Sequence, residues 1–142
     1  MEKDLDPFGY NLKRAQHALR YAMDRTLMDI NLTTPQYAAL SELAREQGLS
    51  NAELARRCFV TPQTMHQLIG GLELRNLVRR SQHPEHGRVQ QVRVTKTGQA
   101  LLTEARPLVK QVEQTMLHNL SKQDLEQMDS ILEKCYVALE KI

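Results

Sequence analysis

The residues whose types and spacing suit a chemical task lie between Ser50 and Thr95, and the task they suit is contact with a nucleic acid. Gln63 and Gln67 stand four apart, on one face of a helix, and each carries the paired donor and acceptor that an adenine edge asks for. Thr64 and His66 flank them and can reach phosphates or bases. Thr61 precedes Pro62, an N-cap followed by proline at the first helical position, so its hydroxyl and the first backbone amides form a natural phosphate contact. Ser50, cap of the preceding short helix, is counted with this group. Arg88 follows Gly87 on a polar turn, where a long cation can enter a minor groove and respond to its width, with His83 and His86 beside it. The plain alternative is that all of these are solvent-facing polar side chains.

Other chemistries fare worse. His83-Pro84-Glu85-His86 has no cysteine or third ligand nearby, which is poor zinc spacing, and no metal is expected there. Cys58 lies beside Arg56 and Arg57, which would favour a reactive thiolate whose oxidation could disturb DNA binding and make the protein a redox-sensing regulator, whereas the commoner identity of such a residue is a small buried hydrophobe. Cys58 and Cys135 form no C-x-x-C, so neither a disulfide framework nor a zinc ribbon is indicated. The chain lacks a phosphate-cradling glycine loop and a nucleophile elbow, so no enzymatic activity and no cofactor are expected.

The elements that must hold these residues follow from hydrophobic period and punctuation. Asp6-Pro7 opens a long first helix, with apolar residues at three- and four-residue steps from Phe8 to Ile30. Thr34-Pro35 opens a second, which Gly48 is placed to stop. Ser50 and Glu53 predict a capping box and a short third helix ending near Cys58. A fourth begins after Thr61, with Met65, Leu68, Ile69 and Leu72 inward, Gln63, Gln67, Gly70 and Gly71 outward, and Asn76 as a left-handed cap past Arg75. Val78–Ser81 and Val89–Thr95 read as two short strands joined by a polar, basic tip. From Lys96 the helical period resumes as far as Leu117, with Pro107 predicted to bend it. Ser121 and Asp124 then start a last helix with a narrow apolar seam from Leu125 to Ile142, suited to another helix.

The expected fold is mainly α with a small β-hairpin wing. It comprises a winged helix-turn-helix lobe at residues 32–96 and a helical dimerisation region at 1–31 and 97–142, within one domain of 142 residues. Charge follows the same division. Residues 49–96 hold eight Lys/Arg against three Asp/Glu, while 1–48 hold six against seven and 97–142 five against seven. The basic middle third is the footprint of a surface that meets phosphates, although an acidic protein partner would suit it too. No apolar run is long enough to span a membrane and the first residues do not resemble a signal peptide, so a cytoplasmic protein is expected.

Three motifs at their separations resemble the MarR family of bacterial regulators: Leu32-Thr33-Thr34-Pro35-Gln36-Tyr37, Leu72-Glu73-Leu74-Arg75-Asn76-Leu77-Val78-Arg79-Arg80, and Val94-Thr95-Lys96-Thr97-Gly98. The resemblance covers nearly the whole chain. It implies a homodimer whose first, fifth and sixth helices interlock, binding double-stranded DNA at a pseudo-palindromic operator, as a repressor more than as an activator. It also implies a small aromatic or phenolic effector in a crevice between the two lobes, for which His17, Tyr21 and Tyr37 are the candidate lining residues. The sequence departs from the family pattern at the wing, where His86-Gly87-Arg88 replaces an Asp-Arg-Arg run. It departs again at Gly70 and Gly71, where larger polar residues are usual, and at Asn76, where glycine is usual.

Overall fold

The computed structural model describes residues 7–85 and 87–142. The chain runs α1 (Pro7–Met28), α2 (Thr34–Arg45), β1 (Leu49–Ser50), α3 (Asn51–Arg57), α4 (Pro62–Leu74), β2 (Val78–Gln82), β3 (Gln90–Val94), α5 (Lys96–Leu117) and α6 (Lys122–Glu140). The expected elements are all present, and β1 is an addition. It pairs antiparallel with β3, placing Leu49 opposite Val92, in a sheet of order β1-β3-β2. Two residues carry no readable alternation, which is why the sequence shows no strand there.

Several boundaries move for identifiable reasons. α1 ends at Met28 rather than Ile30, because Asn31 takes a left-handed φ of 55° and Leu32 N–H turns back to the Leu27 carbonyl at 3.1 Å. The N-cap of α2 is Thr33, one residue before the expected start. Its hydroxyl accepts from Gln36 N–H at 3.3 Å while Gln36 Oε1 accepts from Thr33 N–H at 3.0 Å, a complete capping box. Gly48 does not stop α2, which ends at Arg45 with Glu46 extended. Its φ of 82° instead turns the chain into β1. Pro107 lies in the interior of α5, which runs through it to Leu117. Asp6, the expected cap of α1, lies outside the described residues.

One core joins the helices to the sheet. Leu27 of α1, Leu40 and Leu43 of α2, Leu54 of α3, Met65, Ile69 and Leu72 of α4, Val92 of β3 and Leu102 of α5 are buried together. Leu68, expected inside, is only half-buried at the edge of this cluster. α6 differs from every other helix, for none of its residues is buried. No helix among the described residues is long and apolar enough to cross a membrane.

Candidate nucleic-acid interface

The site is built by α4 and the two segments that brace it. Thr61 caps α4, its hydroxyl oxygen accepting from Thr64 N–H at 3.1 Å and its proton going to Thr64 Oγ1 at 3.0 Å. Met65, Ile69 and Leu72 are wholly buried, so the opposite side of the helix must face outward, and Gln63, Thr64, His66 and Gln67 are all exposed there. A Cβ added at Gly70 would meet no atom within 4 Å, so the third turn of this face is open, while Gly71, expected outward, lies against Gln36 of α2 and Leu74 is 90% exposed one turn on.

α4 is fixed at both ends by side chains that the sequence reading passed over. Asn51 Nδ2 donates to the Pro62 carbonyl at 3.0 Å, tying the start of α3 to the start of α4. Arg80 of β2 donates to the His66 carbonyl at 3.1 Å, and its N–H points to Glu73 at 3.4 Å. These bonds hold the first two turns of α4 in register with the wing. No local signal in the sequence announced them; β2 turns Arg79 outward and Arg80 toward α4.

Ser50 accepts from Glu53 N–H at 3.2 Å as the N-cap of α3 and is half-buried. It lines a groove of about 640 Å³ between α3 and the wing, with Asn51 and Ala52 on one wall and Gln82, Arg88 and Gln90 on the other. Arg88 is exposed at its mouth. Gln82 Nε2 donates to the Gly87 carbonyl at 2.7 Å and His83 N–H to the Val89 carbonyl at 2.8 Å, closing the wing turn. His83 Nδ1 accepts from Glu85 N–H at 3.1 Å, so that histidine is folded into the turn. His86 lies outside the described residues. The structure thus brings Ser50, Thr61, Gln63, Thr64, Gln67 and Arg88 to the α3–α4–wing side of the lobe.

The basic charge is split between two faces. Arg79 and Arg93 stand directly opposite each other in the β2–β3 ladder, both exposed, and line a second groove of about 330 Å³ with Lys96. Like charges so placed repel, so this outer face of the wing costs some stability.

Cys58 is half-buried against the core. Burial pushes its thiol up to about 11, and the Glu42 carboxylate pushes the same way, so the nearby arginines do not produce the lowered pKa that would mark a reactive cysteine. Among the described residues no group of three or more His, Cys, Asp or Glu could hold a metal.

The three candidate effector residues do not converge on one point. His17 and Tyr21 are exposed on α1, with Arg25 stacked 5.7 Å from the Tyr21 ring centre, while Tyr37 packs half-buried against the core. Next to His17 and Tyr21 on α1, the residues Ala18, Leu19 and Ala22 face Val112, Thr115 and Met116 of α5 across an apolar cavity of about 300 Å³. A larger cavity, about 540 Å³, opens where α1 meets α2 and is bounded by Arg20, Asp24, Met28, Gln36 and Arg75.

This architecture is shared with known regulators. Residues 30–89 match the model of the MarR family. The HTH-type transcriptional repressor Rv2887 of Mycobacterium tuberculosis is 34% identical over 128 residues, 90% of this chain and 92% of that protein. The structure of Rv2887 in complex with salicylic acid superposes with a TM-score of 0.74 at 33% identity, covering 93% of this chain and 98% of that one. For its complex with DNA the TM-score is 0.73 at 32% identity, covering 91% and 97%. A probable transcriptional regulator from Pseudomonas aeruginosa gives 0.84 at 25% identity, covering 92% and 97%. With this identity to a MarR-type repressor along nearly the whole of both chains, and the family's model matching the lobe that carries α3, α4 and the wing, the chain belongs to the MarR family.

Proposed function

We propose that this protein is a homodimeric transcriptional regulator, acting as a repressor, that binds a pseudo-palindromic operator in double-stranded DNA and is modulated by a small aromatic acid. It works in the cytoplasm as a binding protein and not as a catalyst. The observation that carries the reading is the first half of α4, capped by Thr61, braced by Asn51 and Arg80, and presenting Gln63, Thr64 and Gln67 away from the core. A rigid helix with polar, uncharged groups at its N-terminal turns suits base edges in a major groove, and Arg88 beyond it suits the adjacent minor groove. Rv2887 in complex with DNA supports the same use of the lobe at residues 32–96.

The dimer rests on α6 and its neighbours. A 19-residue helix with no buried residue, and only Leu125, Met128 and Val137 half-buried, gains little from the fold of one chain, and Ile131, Tyr136 and Leu139 are each more than half exposed. Phe8 and Tyr10 of α1, each 63% exposed, add to the same unburied apolar surface. Association through 1–31 and 97–142 covers these residues and sets two copies of α4 at the spacing of successive major grooves.

Rv2887 in complex with salicylic acid supports an aromatic effector, and the apolar cavity between α1 and α5 offers a place for its ring; His17 and Tyr21 neighbour its α1 lining in sequence, while Tyr37 packs apart from it on α2. A ligand there biases the lobe spacing only if it binds one arrangement more tightly than the other. The whole reading is tested by selecting duplexes from a random pool with the full-length protein and titrating the winner against salt and salicylate. Recovery of an inverted repeat with steeply salt-dependent binding is the expected result. Failure to enrich any duplex refutes it.

A further inference from the structure

Among the described residues, three helices end in the same backbone device. At each, a residue with positive φ donates its N–H to the carbonyl three residues back, and the next residue donates to the carbonyl five back. Asn31 has φ 55°, with Asn31 N–H to Met28 O at 3.0 Å and Leu32 N–H to Leu27 O at 3.1 Å. Asn76 has φ 58°, with Asn76 N–H to Glu73 O at 2.9 Å and Leu77 N–H to Leu72 O at 3.0 Å. Phe59 has φ 57°, with Phe59 N–H to Arg56 O at 3.3 Å and Val60 N–H to Ala55 O at 3.1 Å. The left-handed conformation is natural for Gly and tolerated by Asn, but unfavourable for an aromatic residue.

Nothing within the fold explains the phenylalanine. The apolar contact that accompanies such a cap joins the residue after the left-handed one to the helix's last turn, and here Val60 and buried Ala55 supply it. The Phe59 side chain is 95% exposed. It is therefore held outward by a hydrogen-bonded turn, at the junction of α3 and α4, with no packing role. Its position belongs to the DNA-facing end of the lobe. Three residues on is Pro62, whose carbonyl takes the Asn51 bond, so Phe59 lies within ~11 Å of the first turn of α4. Thr61, Gln63 and Thr64 are exposed just after it, and Arg56 is exposed just before it.

The geometry points to Phe59 as a DNA-contacting, specificity-determining residue whose ring packs on the C5-methyl of a thymine at the edge of each half-site. Thymine's methyl is the one apolar group that a base presents in the major groove, and phenylalanine is among the side chains that contact it. A turn fixed by two backbone hydrogen bonds presents the ring without the flexibility of a long side chain, so little freedom is lost on binding. The inference rests on the reading of this lobe as a duplex-DNA binder.

The experiment uses the full-length protein and the duplex it selects from a random pool, with each thymine replaced in turn by deoxyuridine, which removes only the methyl. Wild type should lose about fourfold in affinity at one position per half-site, the effect of one buried methyl group. Phe59→Asn, which keeps a residue tolerant of positive φ, should bind the unmodified duplex more weakly, be indifferent to that methyl, and melt no lower than wild type. Equal affinity of Phe59→Asn and wild type for the unmodified duplex overturns the inference, as does weaker binding matched by a lower Tm. If wild type selects no duplex, the DNA-binding reading itself fails, and this inference with it.

Discussion

The α-carbon of Gly98 sits so close to Leu77 that an added Cβ would lie 2.1 Å from the Leu77 carbonyl oxygen. That oxygen also accepts the Thr95 N–H at 3.1 Å, and the Thr95 hydroxyl donates to the carbonyl of Asn76, next to Leu77. The start of α5 is thereby pinned to the start of β2. One contact joins α5 with the strand that leads to the wing.

Gly98→Ala should therefore destabilise the protein by about 3 kcal/mol, since backbone has to move to admit the methyl group. Denaturant unfolding checks this. An unchanged midpoint would show that the contact yields without cost.

Asp24 links α1 to the first turn of α2, accepting from both the backbone N–H and the hydroxyl of Thr34 and from Arg20. Burial works to raise its pKa, but the Thr34 and Arg20 hydrogen bonds together outweigh it and hold the carboxyl below its ordinary value of 3.8. The sign follows from linkage. The charged form is favoured in the folded state, so its contribution is complete above the ordinary value and is lost as pH falls through the folded-state pKa. The stability difference between wild type and Asp24→Asn should stay level near neutrality and shrink below pH about 4. A difference that grows in acid would contradict the hydrogen-bonding account.

Gln67→Ala and Arg88→Ala should separate two kinds of contact. Loss of the glutamine should cost about 1–3 kcal/mol at one base pair and relax preference there. Loss of the arginine should weaken binding to every duplex and reduce the salt slope by about one charge. Fluorescence anisotropy over a salt series measures both, and wild-type behaviour from the two variants would move the interface elsewhere.

How much of this was legible in the sequence depends on whether a feature is local. Thr61-Pro62 announced the start of α4, and the spacing of Met65, Ile69 and Leu72 fixed which side faces inward, so the outward Gln63 and Gln67 followed. Asn76 announced the left-handed turn after α4, while Phe59, in the equivalent turn after α3, did not, because an aromatic residue is a poor sign of positive φ. Tertiary placement was hidden. Nothing local said that Asn51 would reach Pro62, that Arg79 and Arg93 would stand opposite each other, or that Gly48 would turn into a two-residue strand. The pKa of Cys58 depends on burial and on Glu42, and its neighbours in sequence suggested the opposite shift.

That reversal is testable. With its pKa raised to about 11, Cys58 should be mostly thiol at neutral pH and react more slowly with iodoacetamide in the folded protein than in the urea-unfolded chain. Cys58→Ser should leave the response of DNA binding to mild peroxide unchanged. Mass spectrometry that found Cys58 alkylated as fast in the folded protein as in the unfolded chain would restore an oxidant-sensing role.

The last helix gives the sharpest test of assembly. Because no residue of α6 is buried within one chain, removing 121–142 leaves the shared core of α1 to α5 and the sheet intact, and the truncated chain should keep its fold. The removal takes away Ile131, Leu132, Tyr136 and Leu139, all exposed apolar residues on one helix, and with them a large part of the surface that two copies would bury. Sedimentation should then show a monomer at micromolar concentration, and operator binding should fall steeply, since each α4 alone holds only a half-site. A single charge on the seam, Leu132→Glu, should act the same way without shortening the chain. A truncated protein that still sediments as a dimer would place the subunit contact on α1 and α5 alone.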